Sequence, residues 1–296
     1  MKFRVLYLIM VLAGGLVVSC DKLESPYASE KVITVDTNNR KVLLEDYTGM
    51  KCVNCPAATS SGEALVELYK GQVILMTVHA GYFSIPDASG HYTTDYRVAE
   101  GVAWFNDFML ISNPMGMVSR TPYNGKQAIG AGAWAEVVSS VAKEKRVATI
   151  DIETTYTPAS RDHITTTIST KFTEYLEGTY NLTVCILEDS IVGWQKNNDT
   201  LVGPVPDIEN YVFNDMLRAV LNGTYGEQLT TSVDTVQIYS KSYLYTLHDN
   251  WVPEHLSLVA FVFNESTKEV IQVEKRYLFT TIFPLHVPSC PLTVRM

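Results

Sequence analysis

Two cysteines, Cys52 and Cys55, set between a strand and a helix constrain this chain more than any other feature. Val42-Leu43-Leu44 is a β-rich run, and Cys52-Val53-Asn54-Cys55-Pro56 follows it after a short stretch. Residues 57–69 then carry Ala64, Leu65 and Leu68 with helical spacing. Gly71 stops that helix, and Val73-Ile74-Leu75-Met76-Thr77-Val78 has the apolar continuity of a central buried strand. Strand, helix, strand is a βαβ unit, and it places the cysteine pair at a helix N-terminus. There the helix dipole favours a thiolate at Cys52, the attacking form in thiol–disulfide exchange, with Cys55 as the resolving thiol. Two other chemistries fit the same pair. One is an inert disulfide that staples a helix start in an exported protein; the other is a zinc site completed by His79 or His91, although no second C-x-x-C accompanies it.

The length of 296 residues suits about two domains. A strand–turn–strand is predicted over 32–44, an insertion rich in Tyr and Asp over 82–112 with a helix at 96–109, a strand at 115–119 after Asn113-Pro114, and a helix at 133–145. Beyond residue 147 the pattern changes to short strands, at 148–156, 164–172, 180–188, 235–239, 256–264 and 269–277, with one helix predicted over 212–221. We expect an α/β domain over 31–147 and an all-β sandwich over 148–296. Trp194, Tyr211, Trp251 and Tyr277 are candidates for contacts to protein or glycan on the second.

At the N-terminus, Lys2 and Arg4 precede an apolar run over 5–18 that is too short to span a bilayer comfortably. Leu16-Val17-Val18-Ser19-Cys20 resembles a lipobox, which implies a signal peptide over 1–19, acylation of Cys20 and a tether over 20–30. An ordinary signal peptide with an incidental cysteine, or an uncleaved anchor, fits the same run. Acyl chains on Cys20 would hold the bilayer stably, at about 0.8 kcal/mol per buried methylene. In an oxidising compartment Cys185 and Cys290 either pair or remain buried thiols. With 23 basic against 32 acidic residues the chain carries a net charge of -9, which argues against nucleic acid and anionic lipid surfaces as partners. No catalytic triad, phosphate loop or metal-ligand cluster is legible, so no cofactor and no metal are expected.

The cysteine context, with Pro114 before a later strand, resembles the thioredoxin superfamily. That resemblance implies a cis peptide at Pro114 lying against the pair. It also makes Asp46, six positions before Cys52, a candidate proton acceptor for Cys55. A solvated strand-end residue is the other reading of Asp46. The dipeptide Val53-Asn54 departs from the Gly-Pro of thioredoxins, so their redox poise does not carry over. Three segments together are similar to the Bacteroidetes family of outer-membrane lipoproteins named for a twenty-eight-kilodalton founding member. They are Val42-Leu43-Leu44-Glu45-Asp46-Tyr47-Thr48-Gly49 leading into the cysteine pair, 211–226 around Leu217-Arg218-Ala219, and Ala260-Phe261-Val262-Phe263-Asn264-Glu265 with Thr267-Lys268-Glu269-Val270. The family implies a thioredoxin-like domain followed by an immunoglobulin-like sandwich, lipid-anchored in the outer membrane and facing the periplasm or the surface. The function it suggests is a binding or assembly module for envelope or extracellular proteins or glycans. A membrane-tethered thiol–disulfide oxidoreductase using Cys52 and Cys55 is the alternative, and it alone would make the protein an enzyme.

Overall fold

Strand and helix alternate in the first half of the chain: β1 (Val42–Thr48), α1 (Cys55–Leu68), β2 (Val73–His79), α2 (Ala99–Asp107), β3 (Met115–Val118) and α3 (Trp134–Val141). Among the described residues strands follow, with one short 3-10 turn at Pro253–His255: β4 (Ala148–Tyr156), β5 (His163–Phe172), β6 (Tyr180–Glu188), β7 (Ile191–Lys196), β8 (Asp207–Phe213), β9 (Met216–Val220), β10 (Glu227–Thr230), β11 (Ile238–Thr246), β12 (Leu256–Asn264) and β13 (Val270–Tyr277). The computed structural model describes residues 36–156 and 163–279, so Cys20, Cys290, the leader, the tether and the strand predicted at 32–35 lie outside the described residues.

The architecture is β-rich, with few helices and a mixed sheet. Eight strands form one sheet in the order β13-β12-β6-β9-β2-β1-β3, with β10 beside β6. β1 and β2 run parallel from Val42 opposite Val73 to Thr48 opposite His79, and β3 is antiparallel to β1. The sheet passes through the predicted boundary at residue 147, because β9 pairs with β2 at Thr77 and with β6 over Cys185 to Glu188. It also curls: the Lys41 amide donates to Gln272 Oε1 at 3.0 Å and the Val270 amide to the Ser119 carbonyl at 2.9 Å, bringing β13 against the opposite end of the sheet.

Alternation of side chains then builds two cores. Val259, Phe261 and Phe263 of β12 and Cys185 and Leu187 of β6 face inward, onto Leu43, Tyr47, Met76, Val78 and Trp104. Their neighbours Leu258, Ala260, Val262, Val184 and Ile186 face outward, onto Ile152, Ile168 and Phe172 of a second sheet ordered β11-β5-β4. Both faces are covered, which is why all of β6 and almost all of β12 are buried. On the outer face of β1 and β2, α1 packs closely through Gly62, where an added Cβ would lie 3.2 Å from Leu75.

The inner core holds an ion pair. Arg120 donates twice to Glu45, at 2.9 Å each, with side chains 1% and 0% exposed. Rings of Trp104, Phe108, Phe261 and Phe263 surround the guanidinium at 4.9–5.9 Å, so the charge is met by a carboxylate and by π faces.

One predicted helix, over 212–221, is instead the end of β8, a turn at Asn214-Asp215 and the whole of β9. Its apolar residues are compatible with helical spacing, but Asp215 takes φ 52° and breaks the run. The segment fills the gap between β2 and β6, where ladder bonds satisfy its backbone and Met216 and Leu217 are buried to 0% and 1%.

Candidate functional site

The cysteine pair leaves the end of β1 through Gly49, a position closed to any other residue because an added Cβ would stand 2.6 Å from the Phe83 backbone. Cys52 and Cys55 are joined as a disulfide, with Cα atoms 5.4 Å apart. Pro56 opens α1 at a position whose amide would have no helical partner.

The pair is covered. Cys52 is 3% and Cys55 1% exposed, beneath the β7–β8 hairpin. Gln195 of β7, itself buried, donates through Nε2 to the Cys52 carbonyl at 3.0 Å and to the Lys196 carbonyl at 2.9 Å. The Lys196 amide donates to Met50 O at 2.8 Å, the Asn198 amide to Val53 O at 3.1 Å, and Asn198 Nδ2 to Asn54 Oδ1 at 2.7 Å. The connecting loop over 197–206 is ordered by Asn197, whose Nδ2 faces the carbonyls of Asp199, Gly203 and Pro204. Sequence reading missed this hairpin. Its signal is present, in Ile191-Val192-Gly193-Trp194 and Tyr211-Val212-Phe213 on either side of a stretch rich in Asn, Asp, Gly and Pro.

Asp46 is 0% exposed, so the solvated strand-end reading is overturned. It projects from β1 toward α1, where Thr59 Oγ1 donates to its Oδ2 at 2.6 Å and Oδ1 has no partner. Burial pushes its carboxyl up to about 7, against the lowering effect of the Thr59 bond and with a smaller push from Glu63. Next to Thr59, a cavity of about 10 Å³, room for about one water, lies between Thr48, Thr77, Gln195, Tyr211 and Asn214. The peptide before Pro114 is cis, and Asn113 Nδ2 donates to Tyr47 O at 2.9 Å, tying that loop to the end of β1 from which the cysteine loop departs.

The histidines are not brought to the sulfurs. His79 is buried between the rings of Tyr96 and Phe213, at 5.2 and 5.3 Å, and burial lowers it to about 3. His91 stacks on Trp194 at 3.8 Å. Among the described residues no group of three His, Cys, Asp or Glu could hold a metal ion. Cys185 is buried, its thiol pushed up by that burial, and forms no disulfide among the described residues. Of the aromatic candidates, Trp251 is buried against Tyr245 and the Arg218 guanidinium, while Tyr277 is half exposed.

Among the described residues no helix is long and apolar enough to cross a membrane. A comparison with curated proteins finds no match. Among solved structures, the fold is similar to that of HBP35 of Porphyromonas gingivalis, with TM-score 0.60 and 17% identity over 85% of this chain and 81% of that one. A domain of the outer membrane lipoprotein Omp28 from Porphyromonas gingivalis aligns at 21% identity over 44% of this chain and 86% of that one, with TM-score 0.30. The family model described as outer membrane protein Omp28 matches residues 103–281, more than half of the sequence. The chain belongs to the Omp28 family of outer membrane proteins.

Proposed function

We propose that the protein is a lipid-anchored binding module of the outer membrane, built as a thioredoxin-like unit followed by an immunoglobulin-like sandwich, in which Cys52–Cys55 is structural. The observation that carries this reading is the burial of both cysteines under the β7–β8 hairpin. Exchange requires an incoming thiolate to reach one sulfur in line with the bond, and access governs its rate as much as thiolate character does. Here both cysteines are almost fully buried, and the hairpin's hydrogen bonds to Cys52, Val53 and Asn54 make the oxidised loop part of its seat. Insulin reduction tests the proposal: the intact protein is expected to show no more turnover than the Cys52→Ser variant. Turnover that depends on Cys52 overturns it. The anchor is tested by palmitate labelling, which Cys20→Ala is expected to abolish; label that persists in the variant refutes lipidation at that residue.

One observation favours the second reading, a membrane-tethered oxidoreductase. Asp46 is a buried carboxyl pushed up to about 7, so it is part-ionised near neutrality, as a proton acceptor for a resolving Cys55 must be, and it is bonded to Thr59, one helical turn beyond Cys55 on α1. In that reading the hairpin must move before Cys52 attacks, and activity would follow the ionisation of Asp46 near pH 7 and fall sharply in Asp46→Asn.

A further inference from the structure

We infer that the groove between α1 and the free edge of β8 takes an extended, basic polypeptide segment as an added strand; this rests on the binding-module reading and gives that module its partner class. The groove is about 640 Å³ and runs between Ala57, Ser60 and Glu63 of α1, Leu201 of the hairpin loop, and Tyr211 and Val212 of β8. Successive side chains of a strand point to opposite faces. Tyr211 and its neighbour Val212 both line the groove, so residues from both faces of β8 border it. Among the described residues β8 pairs with β7 alone, so the amides and carbonyls of its other edge have no strand opposite them. Such an edge is a template for an incoming strand.

Charge and polarity choose the occupant. Glu63 and Asp199 supply two carboxylates, and no Lys or Arg lines the groove. An anionic ligand would be repelled, whereas a Lys or Arg side chain on an added strand would meet a carboxylate from either wall. Leu201 is 94% and Val212 47% exposed, which gives apolar side chains of the same strand somewhere to lie. Asn198, the neighbour of the lining residue Asp199, donates to Asn54 Oδ1 and ties the hairpin loop to the cysteine loop.

The test uses the intact protein and three synthetic peptides: alternating Val and Lys, alternating Val and Glu, and the Val-Lys peptide N-methylated at alternate amides. Backbone amide shifts are followed by NMR. The Val-Lys peptide is expected to bind saturably and shift the amides of β8 and of the first two turns of α1, and the Val-Glu peptide to leave them unchanged. N-methylation is expected to weaken binding at least tenfold, as is Glu63→Gln with Asp199→Asn, which keeps the side-chain shapes and the Asp199 turn acceptor. Absence of shifts with Val-Lys, or binding indifferent to N-methylation, overturns the strand-addition proposal. Shifts confined to the surface around Trp194 and His91 overturn it as well, while leaving a binding module in place. Cys52-dependent insulin turnover instead removes the binding-module reading, without touching the peptide result.

Discussion

Glu45 and Asp46 are adjacent carboxyls with opposite surroundings, because neighbouring residues of β1 face opposite sides of the sheet. Glu45 turns inward and is matched by the Arg120 guanidinium; Asp46 turns toward α1 and is matched by one hydroxyl. The consequence for Asp46 is a dependence on pH. Its carboxyl stays protonated in the fold up to about 7, whereas the unfolded chain releases that proton near 3.8. Between those values the folded state binds more protons, so unfolding free energy falls as pH rises, and the loss is complete above about pH 7. The span corresponds to ~4 kcal/mol. Asp46→Asn keeps an acceptor for Thr59 and cannot ionise. Urea titrations should therefore find it more stable than wild type at pH 8 and near parity at pH 4, and an equal difference at both pH values would contradict the assignment. For the inner pair, Glu45→Gln leaves a buried guanidinium without its counter-charge and is expected to destabilise by about 3–5 kcal/mol. Replacing both partners, Glu45→Leu with Arg120→Met, should recover most of that loss, as a double-mutant cycle would measure. The pairing of Glu45 with Arg120 was not legible in sequence, whereas for Asp46 the offset from Cys52 left a buried acceptor and a solvated residue both open. Asp46 sits at the end of a short apolar run, and what decides between them is α1 packing over that face of a β1 already flanked by β2 and β3.

Among elements, β1, α1 and β2 were the most readable, since apolar continuity and a helix-stopping Gly71 are local signals. The β7–β8 hairpin was the least readable. Its strands are partly exposed and its connection is long, so the usual tight-turn signature is missing, and its position over the cysteines depends on contacts with residues more than a hundred positions away. If the hairpin is what protects the disulfide, loosening it should expose the sulfurs. Gln195→Ala removes the bond to the Cys52 carbonyl and is expected to speed reduction by dithiothreitol at least severalfold, with the fold retained by circular dichroism. An unchanged reduction rate would mean that the hairpin shields by packing and not through this carboxamide. β9 failed in sequence for a different reason. A short apolar segment is compatible with helix or strand, and what decides is a vacancy between β2 and β6 that is visible only once the rest of the sheet exists.

For the whole molecule, composition and strand grammar foretold an α/β half and a β half, but not that one sheet would run through both. The inner core draws Leu43, Ile74 and Trp104 from one half and Cys185, Phe261 and Val273 from the other. Shared cores unfold together. The described part of the chain is therefore expected to melt in one calorimetric transition, and a fragment of residues 31–147, stripped of β9 and of Phe261 and Phe263, two of the four rings around Arg120, should be unfolded or aggregated on its own. A folded fragment with its own cooperative transition would refute this. The two-faced strands carry a further consequence for how such a chain can change over evolutionary time. Each residue along β6 and β12 has one half of the molecule as its neighbour, and the next residue has the other. Inserting or deleting a single residue there would exchange those allegiances along the rest of the strand, placing Phe261 where Ala260 belongs and unsettling both cores at once. Length variation among relatives should accordingly gather in the turns, while β6 and β12 keep their length and change by substitution alone.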